Sequence, residues 1–210
     1  MLTENNRCYW VVKQLASAAR QTGQKWLLSE LYGCTGWQFD FKAHKAVGDW
    51  QALLGINVRC QHLSWYTMEG ESKRDYPASI FHQSSYYKDY DYVETYFARF
   101  GVVMTQGRPL CDLLVLNPIE SARAMMYPGW AHWVHTAPDN KDELDIEKHY
   151  EQLFHMLMES QLDFDYGEES MMREMYSVEH DTSGNVVLRI GKASYRTVLV
   201  SGLITMRDST

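Results

Sequence analysis

A carboxylate ends a short apolar run near the start of the chain, in "WLLSELYGC", residues 26–34. The run predicts a strand over Trp26–Ser29, which places Glu30 just past its carboxyl end and before the loop glycines Gly33 and Gly36. Parallel α/β folds hold catalytic carboxylates rigidly at such strand ends. A strand whose end simply reaches the protein surface produces the same pattern without any catalytic role. Glu30 is therefore interpreted as either a catalytic acid or an ordinary acid at the mouth of a loop.

A histidine ends the next predicted strand, in a similar position. The segment "INVRCQH" predicts a strand over Ile56–His62, and in a parallel sheet His62 shares the strand-end rim with Glu30. Neighbouring strands lie about 5 Å apart, so the two residues are predicted to be close at the backbone. His62 is a candidate ligand-binding residue, an acid–base partner of Glu30, or a histidine that only caps its strand through a hydrogen bond.

The segment after His62 is polar, rich in tyrosine and longer than most loops. Flat aromatic rings pack against the C–H faces of sugar rings, while Arg and Asp side chains bond hydroxyl groups in fixed directions. The candidates for such contacts are Trp65, Tyr66, Arg74, Asp75, Tyr76 and Tyr86. The alternative is that these aromatic side chains fill the underside of the loop.

Two further motifs resemble metal sites without completing one. "HWVH" brings His132 and His135 to one side of a helical turn, but no third ligand is evident in the sequence. "DFDYGEE", residues 163–169, lacks the ligand register of a calcium loop and is predicted to be a solvated, helix-capping acidic turn. The sequence contains neither a phosphate-binding glycine loop nor a G-x-S-x-G elbow. We expect neither a metal nor a cofactor.

Helical and strand patterns alternate along the chain, which predicts an α/β fold with a mostly parallel sheet or a piece of a barrel. Helices are predicted near residues 6–21, 43–54, 93–104 and 146–158, and further strands at 113–116, around the turn Ser183-Gly184-Asn185, and in "YRTVLVSG", which reads as buried. A complete eight-stranded barrel takes about 250 residues, and only two such strands precede residue 107. The best domain boundary is Gly107-Arg108-Pro109.

Composition excludes several classes of partner. Lys and Arg number 20 against 27 Asp and Glu, for a net charge of −7, and no basic run occurs, so a nucleic-acid partner is not expected. The four cysteines lack C-x-x-C spacing and are predicted to be reduced, buried thiols. Neither an apolar run of about 20 residues nor a signal sequence is evident. We expect a cytoplasmic protein without a membrane partner.

Several motifs of the first half resemble one group of enzymes as a set. The motifs are "SELYGCTGW", "HKAVGDWQALLGIN", "QHLSWYTMEG" and "KRDYPAS". They resemble the C-terminal part of the catalytic barrel in bacterial glycoside hydrolases around the family 106 α-L-rhamnosidases, with a more distant similarity in layout to the family 42 β-galactosidases. In that layout a (β/α)8 barrel is followed by a flavodoxin-like α/β domain similar to class I glutamine amidotransferases. The resemblance thus implies the last barrel strands in residues 1–106 and the first part of an amidotransferase-like domain in 107–210.

The resemblance also implies a function. Glu30 occupies the position of a catalytic carboxylate that acts as nucleophile or base on an O-glycosidic bond, while His62, Trp65 and Tyr66 line the sugar site. The second carboxylate, the general acid, belongs on an earlier strand that this sequence does not contain. We therefore expect a fragment-like glycoside hydrolase that is inactive alone. The alternative is a non-catalytic carbohydrate-binding or scaffold module. The unpaired strand edges of a cut-open barrel predict self-association into a homo-oligomer.

Overall fold

Helices and strands alternate through the described residues, which are 9–73, 79–125 and 141–210 of this computed structural model. The helices are α1 (Tyr9–Thr22), α2 (Phe41–Leu53), α3 (Asp91–Met104), α4 (Ile119–Met125), α5 (Lys141–Glu159) and α6 (Glu169–Met175). The strands are β1 (Leu28–Leu31), β2 (Val58–Gln61), β3 (Leu113–Leu116), β4 (Phe164–Gly167), β5 (Tyr176–His180), β6 (Val186–Ile190), β7 (Ala193–Tyr195) and β8 (Thr197–Leu199). The predicted α/β class is confirmed, with parallel and antiparallel sheets, and within these ranges no sheet closes into a barrel.

The chain divides into two units. The first comprises Lys25–Pro109 and the described residues up to Val12, and the second comprises Lys13–Gln24 and Leu110–Thr210. Most of α1 therefore belongs with the second half of the chain, which the sequence pattern did not indicate. The identity of the two units as parts of a barrel and of an amidotransferase-like domain stays a proposal.

The first unit is built on a parallel pair of strands. β1 and β2 pair in register from Leu28 with Val58 to Leu31 with Gln61, and α2 makes the crossover between them. The side chain of Asp40 caps α2 by accepting a hydrogen bond from the backbone N–H of Ala43 at 2.8 Å. Each strand keeps one edge without a described partner strand, so self-association through these edges remains a prediction.

The two faces of this strand pair have different surroundings. Leu31 packs against Val47 of α2, and Arg59 pairs with Glu94 of α3 at 3.0 Å, so helices cover one face. Because side chains alternate along a strand, the opposite face carries the remaining side chains. This face, here called the open face, consists of Leu28, Glu30, Val58 and Cys60. Leu28 is 57% exposed, and Glu30 and Cys60 are also exposed.

The second unit contains two sheets of three strands. β3 lies between β4 and β8 in a parallel sheet, while β5, β6 and β7 form an antiparallel sheet. The core between them contains Leu114, Leu116, Met172, Ile190 and Tyr195. Gly191, after β6, requires glycine: its φ is +55°, and a Cβ there would lie 2.1 Å from the carbonyl oxygen of Gln21. That close approach joins α1 to the antiparallel sheet.

Several sequence-based predictions are confirmed and others are wrong. The strand Leu113–Leu116 and the hairpin of β5 and β6 are confirmed. The segment "YRTVLVSG" is not one buried strand, because Tyr195 ends β7 and the short edge strand β8 leaves Val198 43% exposed. The predicted acidic turn instead contains the fully buried strand β4. The helix-capping role predicted for this acidic segment is confirmed for Glu168, which accepts a hydrogen bond from the backbone N–H of Met171 at 2.9 Å.

The cysteine prediction is only partly right. The described cysteines are free thiols, but Cys34 and Cys60 are exposed rather than buried, and Cys111 is half-buried. Cys34 lies in a turn, and Cys60 lies on the open face, where Leu28 and Glu30 are exposed as well. In the described ranges, none of the helices is long and apolar enough to cross a membrane.

Candidate functional site

Glu30 lies within β1 rather than after it. It is the third residue of the strand, paired in register with Cys60, because pairing with β2 begins only at Leu28. The predicted position just past the strand end is therefore wrong by two residues. The side chain nevertheless projects from the open face and is exposed, one residue before the strand ends at Leu31. A solute that reaches the open face can contact this carboxylate.

His62 lies at the carboxyl end of the same strand pair. It directly follows β2, and its backbone N–H donates a hydrogen bond to the carbonyl oxygen of Leu31 at 2.7 Å. Its ring packs beside the loop after β1, since a Cβ on Gly33 would lie 3.7 Å from the imidazole Cγ. The structure thus places the ring against the loop that follows Glu30, at the rim where ligands of parallel α/β folds bind.

The two aromatic residues predicted after His62 have opposite surroundings. Trp65 is only 5% exposed, whereas Tyr66 is 85% exposed. Trp65 is held by Ser79, whose hydroxyl accepts from its backbone N–H at 3.1 Å, and by Gln83, whose amide donates to its carbonyl oxygen at 3.0 Å. Trp65 therefore fits the alternative interpretation, in which the aromatic side chains after His62 fill the underside of their own loop. Arg74, Asp75 and Tyr76 lie outside the described residues, as do His132 and His135.

Trp37 belongs to the same rim, although it is not among the site residues predicted from the sequence. It lies in the loop between β1 and α2, is 42% exposed, and contacts Trp65 edge to face with ring centroids 5.1 Å apart. The signal was present in "SELYGCTGW", because an aromatic residue shortly after a parallel strand lies at the carboxyl rim.

A buried polar cluster supports the rim from the helix side. His44 of α2 is 1% exposed; its Nδ1 lies 2.8 Å from the carbonyl oxygen of Asp40, and its ring contacts that of Tyr32. The hydroxyl of Tyr32 donates to the carbonyl oxygen of His44 at 3.2 Å and accepts from Arg59 at 3.2 Å. Burial raises the pKa of Tyr32, so the hydroxyl stays protonated. These contacts fix the residue that follows β1.

We predict that His44 makes the first unit less stable in mild acid. Burial lowers its pKa below the ordinary value of 6.5, although the Asp40 carbonyl and carboxylate oppose this shift. Between the lowered folded pKa and about 6.5, the unfolded chain binds a proton that the folded chain does not, so stability falls as pH falls through this range. The slope from one such group is at most about 1.4 kcal/mol per pH unit.

Urea unfolding measured from pH 7 to pH 5 tests this prediction. His44→Phe is expected to flatten the pH dependence, while His82→Ala, which removes an exposed imidazole of the same unit, is expected to leave the wild-type slope. Equal slopes for the wild type and His44→Phe would contradict it.

Polar side chains at the carboxyl end of the second unit's parallel sheet form hydrogen bonds with residues near the C-terminal end of the same chain. Glu169 is 1% exposed, and its Oε2 accepts from the backbone N–H of Arg207 and the hydroxyl of Thr210, each at 2.7 Å. The guanidinium of Arg207 bonds Glu120. Residues 204–210 therefore occupy this edge, and its carboxylates serve packing.

Two further features bear on ligand binding. Among the residues with described coordinates, no three His, Cys, Asp or Glu side chains lie close enough to hold a metal ion. A separate surface groove runs along α3, where Tyr92, Tyr96 and Phe100 line it. It includes neither Glu30 nor His62.

Comparison with known proteins gives one informative similarity. No protein-family model and no curated protein matches the chain. The chain is similar in structure to a rhamnosidase from Novosphingobium sp. PP1Y, with a TM-score of 0.59 and 17% sequence identity, over 91% of this chain and 16% of that protein. The chain thus spans a small part of that protein's length. At this identity the similarity shows a shared fold: the mixed α/β arrangement of this chain also occurs as a segment of a rhamnosidase.

Proposed function

We propose that this chain is a fragment-like member of a glycoside hydrolase lineage, in which Glu30 acts as the catalytic nucleophile or base on an O-glycosidic bond. The observation that carries this proposal is the exposed carboxylate of Glu30 on the open face of a parallel strand pair. The similarity in fold to a segment of a rhamnosidase supports it and suggests α-L-rhamnosides as the substrate class.

The uneven covering of β1 and β2 supports the interpretation as barrel strands. Parallel sheets are normally buried on both faces, yet here the described helices pack against the face of Leu31 and Arg59, whereas Leu28, Glu30 and Cys60 on the other face are exposed. In an α/β barrel the helix-free face points to the interior, and active sites form at the carboxyl ends of the strands. Glu30 satisfies both conditions, and His62 satisfies the second. The chain divides into two units near Pro109, which supports a second, amidotransferase-like domain after the barrel. Lys13–Gln24 is an exception, because it belongs to the second unit although it precedes the strands of the first.

The chemistry of glycoside hydrolysis requires a second carboxyl group that the open face does not supply. Glycoside hydrolysis normally uses two carboxyl groups about 5–10 Å apart, one as general acid and one as nucleophile or base. Of the four residues on the open face, Leu28, Glu30, Val58 and Cys60, only Glu30 has a carboxylate. We therefore propose that this chain binds the sugar and catalyses little or no turnover by itself.

The single carboxylate also favours a second candidate, a non-catalytic carbohydrate-binding or scaffold module. Such a module would keep the rim residues His62 and Trp65 and use Glu30 only to accept hydrogen bonds from sugar hydroxyl groups. The two candidates differ in whether a general acid supplied by a longer chain restores hydrolysis.

Sugar binding and hydrolysis measured on the same variants test the proposal. We expect the 210-residue chain to bind L-rhamnose saturably and to hydrolyse para-nitrophenyl α-L-rhamnopyranoside no faster than buffer. Glu30→Gln is expected to weaken binding about tenfold, as the loss of one charged hydrogen bond requires. Asp89→Asn, which removes an exposed carboxylate outside the strand pair, is the matched control and should bind like the wild type.

The other outcomes are equally informative. Strong hydrolysis that Glu30→Gln abolishes would show that the chain holds a complete catalytic pair. Absence of binding to L-rhamnose and to a panel of other monosaccharides would overturn both candidates.

A further inference from the structure

Trp37 combines exposure with rigid support at the rim. A large indole that is 42% exposed carries apolar surface that water solvates poorly. Behind it, Trp65 is 5% exposed and meets Trp37 at an interplanar angle of 89°. The edge-to-face arrangement is a favourable aromatic geometry, so Trp65 holds the Trp37 ring in place.

The support of Trp65 is itself fixed. The hydroxyl of Ser79 accepts a hydrogen bond from the Trp65 backbone N–H and donates one to Oε1 of Gln83 at 2.8 Å. The side-chain amide of Gln83 in turn donates to the Trp65 carbonyl oxygen. On the other side, the loop that carries Trp37 is held by Thr35, whose hydroxyl donates to the carbonyl oxygen of Tyr32 at 2.8 Å. The exposed ring is therefore preorganised and needs little ordering on binding.

We propose that Trp37 is the platform on which the C–H face of a pyranose ring stacks at this site, an inference that rests on the proposed carbohydrate function. A sugar presents an apolar face of C–H groups and a perimeter of hydroxyl groups, which suits a flat ring beside polar residues. His62 and Glu30 supply polar groups at the same end of the strand pair. Trp65, predicted as a direct sugar contact, becomes the support for the platform instead.

Two other exposed aromatic residues fit this role less well. Tyr66 is 85% exposed, so little of its ring is held by the protein, and a ligand would have to order it. Trp26 is 71% exposed but precedes β1, which places it at the amino end of the strand pair, opposite the rim. Trp26 is therefore a matched control with the same side chain at the other end of the same strand.

Titration of methyl α-L-rhamnopyranoside by calorimetry and saturation-transfer NMR tests the platform. Trp37→Ala is expected to raise the Kd about fivefold or more, whereas Trp37→Phe keeps a flat ring and most of the affinity. Trp37→Leu keeps apolar volume without a flat face and is expected to weaken binding as Trp37→Ala does. Trp26→Ala is expected to bind like the wild type. Circular dichroism of each variant establishes that it is folded.

The possible failures separate the two proposals. If the wild type binds the sugar and Glu30→Gln weakens binding but folded Trp37→Ala and Trp37→Leu do not, the platform is wrong and the proposed function stands. If Trp26→Ala weakens binding as much as Trp37→Ala, the site is not at the carboxyl rim and the platform is again wrong. If the wild type binds no sugar, both proposals fall.

Discussion

Asp165→Ala is expected to destabilise the second unit by about 3–5 kcal/mol, because it removes one partner of a buried ion pair. Asp165 is the second residue of β4 and is completely buried. The hydroxyl of Tyr195 donates to its Oδ2 at 2.7 Å, and Nη1 of Arg20 lies 3.2 Å from its Oδ1, an ion pair by distance without hydrogen-bond alignment. Its removal leaves the mostly buried Arg20 guanidinium without its carboxylate.

The loss of stability extends beyond the ion pair, because Tyr195 belongs to a larger hydrogen-bond network. Burial first, and the Asp165 carboxylate second, raise the pKa of Tyr195, so its hydroxyl stays protonated and needs an acceptor. The amide of Gln21 donates to the same hydroxyl at 3.0 Å and to the carbonyl oxygen of Tyr166 at 2.9 Å. Asp165 of β4 thereby connects this strand to α1 through Arg20 and to β7 through Tyr195, and its removal weakens both connections.

Chemical denaturation combined with hydrogen exchange of peptides from residues 110–210 measures this effect. Asp165→Asn keeps an acceptor for Tyr195 and removes the charge, so we expect a smaller loss than for Asp165→Ala. Asp112→Ala is the control, because Asp112 pairs with Arg196 at 3.6 Å and the two side chains are 68% and 54% exposed. Exposed pairs contribute at most about 1 kcal/mol. Similar losses for Asp112→Ala and Asp165→Ala would contradict the importance of burial.

The same residues explain why β4 was not predicted from the sequence. The pattern Asp163, Asp165, Glu168 and Glu169 around Phe164 and Tyr166 is typical of a solvated acidic turn. It becomes a buried strand because Arg20, about 145 positions earlier, supplies the charge that Asp165 needs. A long-range ion pair leaves no periodic signal. By contrast, β3 was predicted with its correct bounds, because its run of consecutive apolar residues is a local sequence signal of a buried strand.

The rim was predictable in outline and not in detail. Two parallel strands with polar residues near their carboxyl ends were expected, and Glu30 and His62 lie there. The shift of β1 by two residues arises because strand pairing begins at Leu28 and leaves Trp26 exposed. Nothing in "SWYT" distinguishes Trp65 from Tyr66, since burial of the first depends on Ser79 and Gln83, more than ten residues later.

Gly48→Ala is expected to destabilise the first unit by about 1–3 kcal/mol, the usual cost of overpacking a core. Gly48 lies in the middle of α2 and faces α3, where a Cβ would come within 2.1 Å of Cζ of Phe97. No rotamer change of the alanine can relieve this overlap, so the Phe97 ring or the helix must move. The gain in helix propensity from Gly to Ala, about 1 kcal/mol, offsets only part of the cost.

The Phe97 ring has little freedom to move. It is 6% exposed, packs with Tyr90 and Val93, and has the Arg59 guanidinium 3.9 Å above its centroid. Displacement of the ring therefore also disturbs Arg59, which pairs with Glu94 and donates to Tyr32 behind the rim. A substitution in α2 would in this way loosen the supports of the proposed sugar site as well as the helix packing.

Thermal unfolding followed by circular dichroism compares Gly48→Ala with Gly101→Ala. Gly101 is a helical glycine of α3, and a Cβ added there would meet no atom within 4 Å, so alanine should stabilise by about 0.5–1 kcal/mol. The double variant Gly48→Ala, Phe97→Leu should be less destabilised than the sum of its single variants, because the smaller side chain relieves the overlap. Strictly additive effects would show that the cost of Gly48→Ala arises elsewhere than at Phe97.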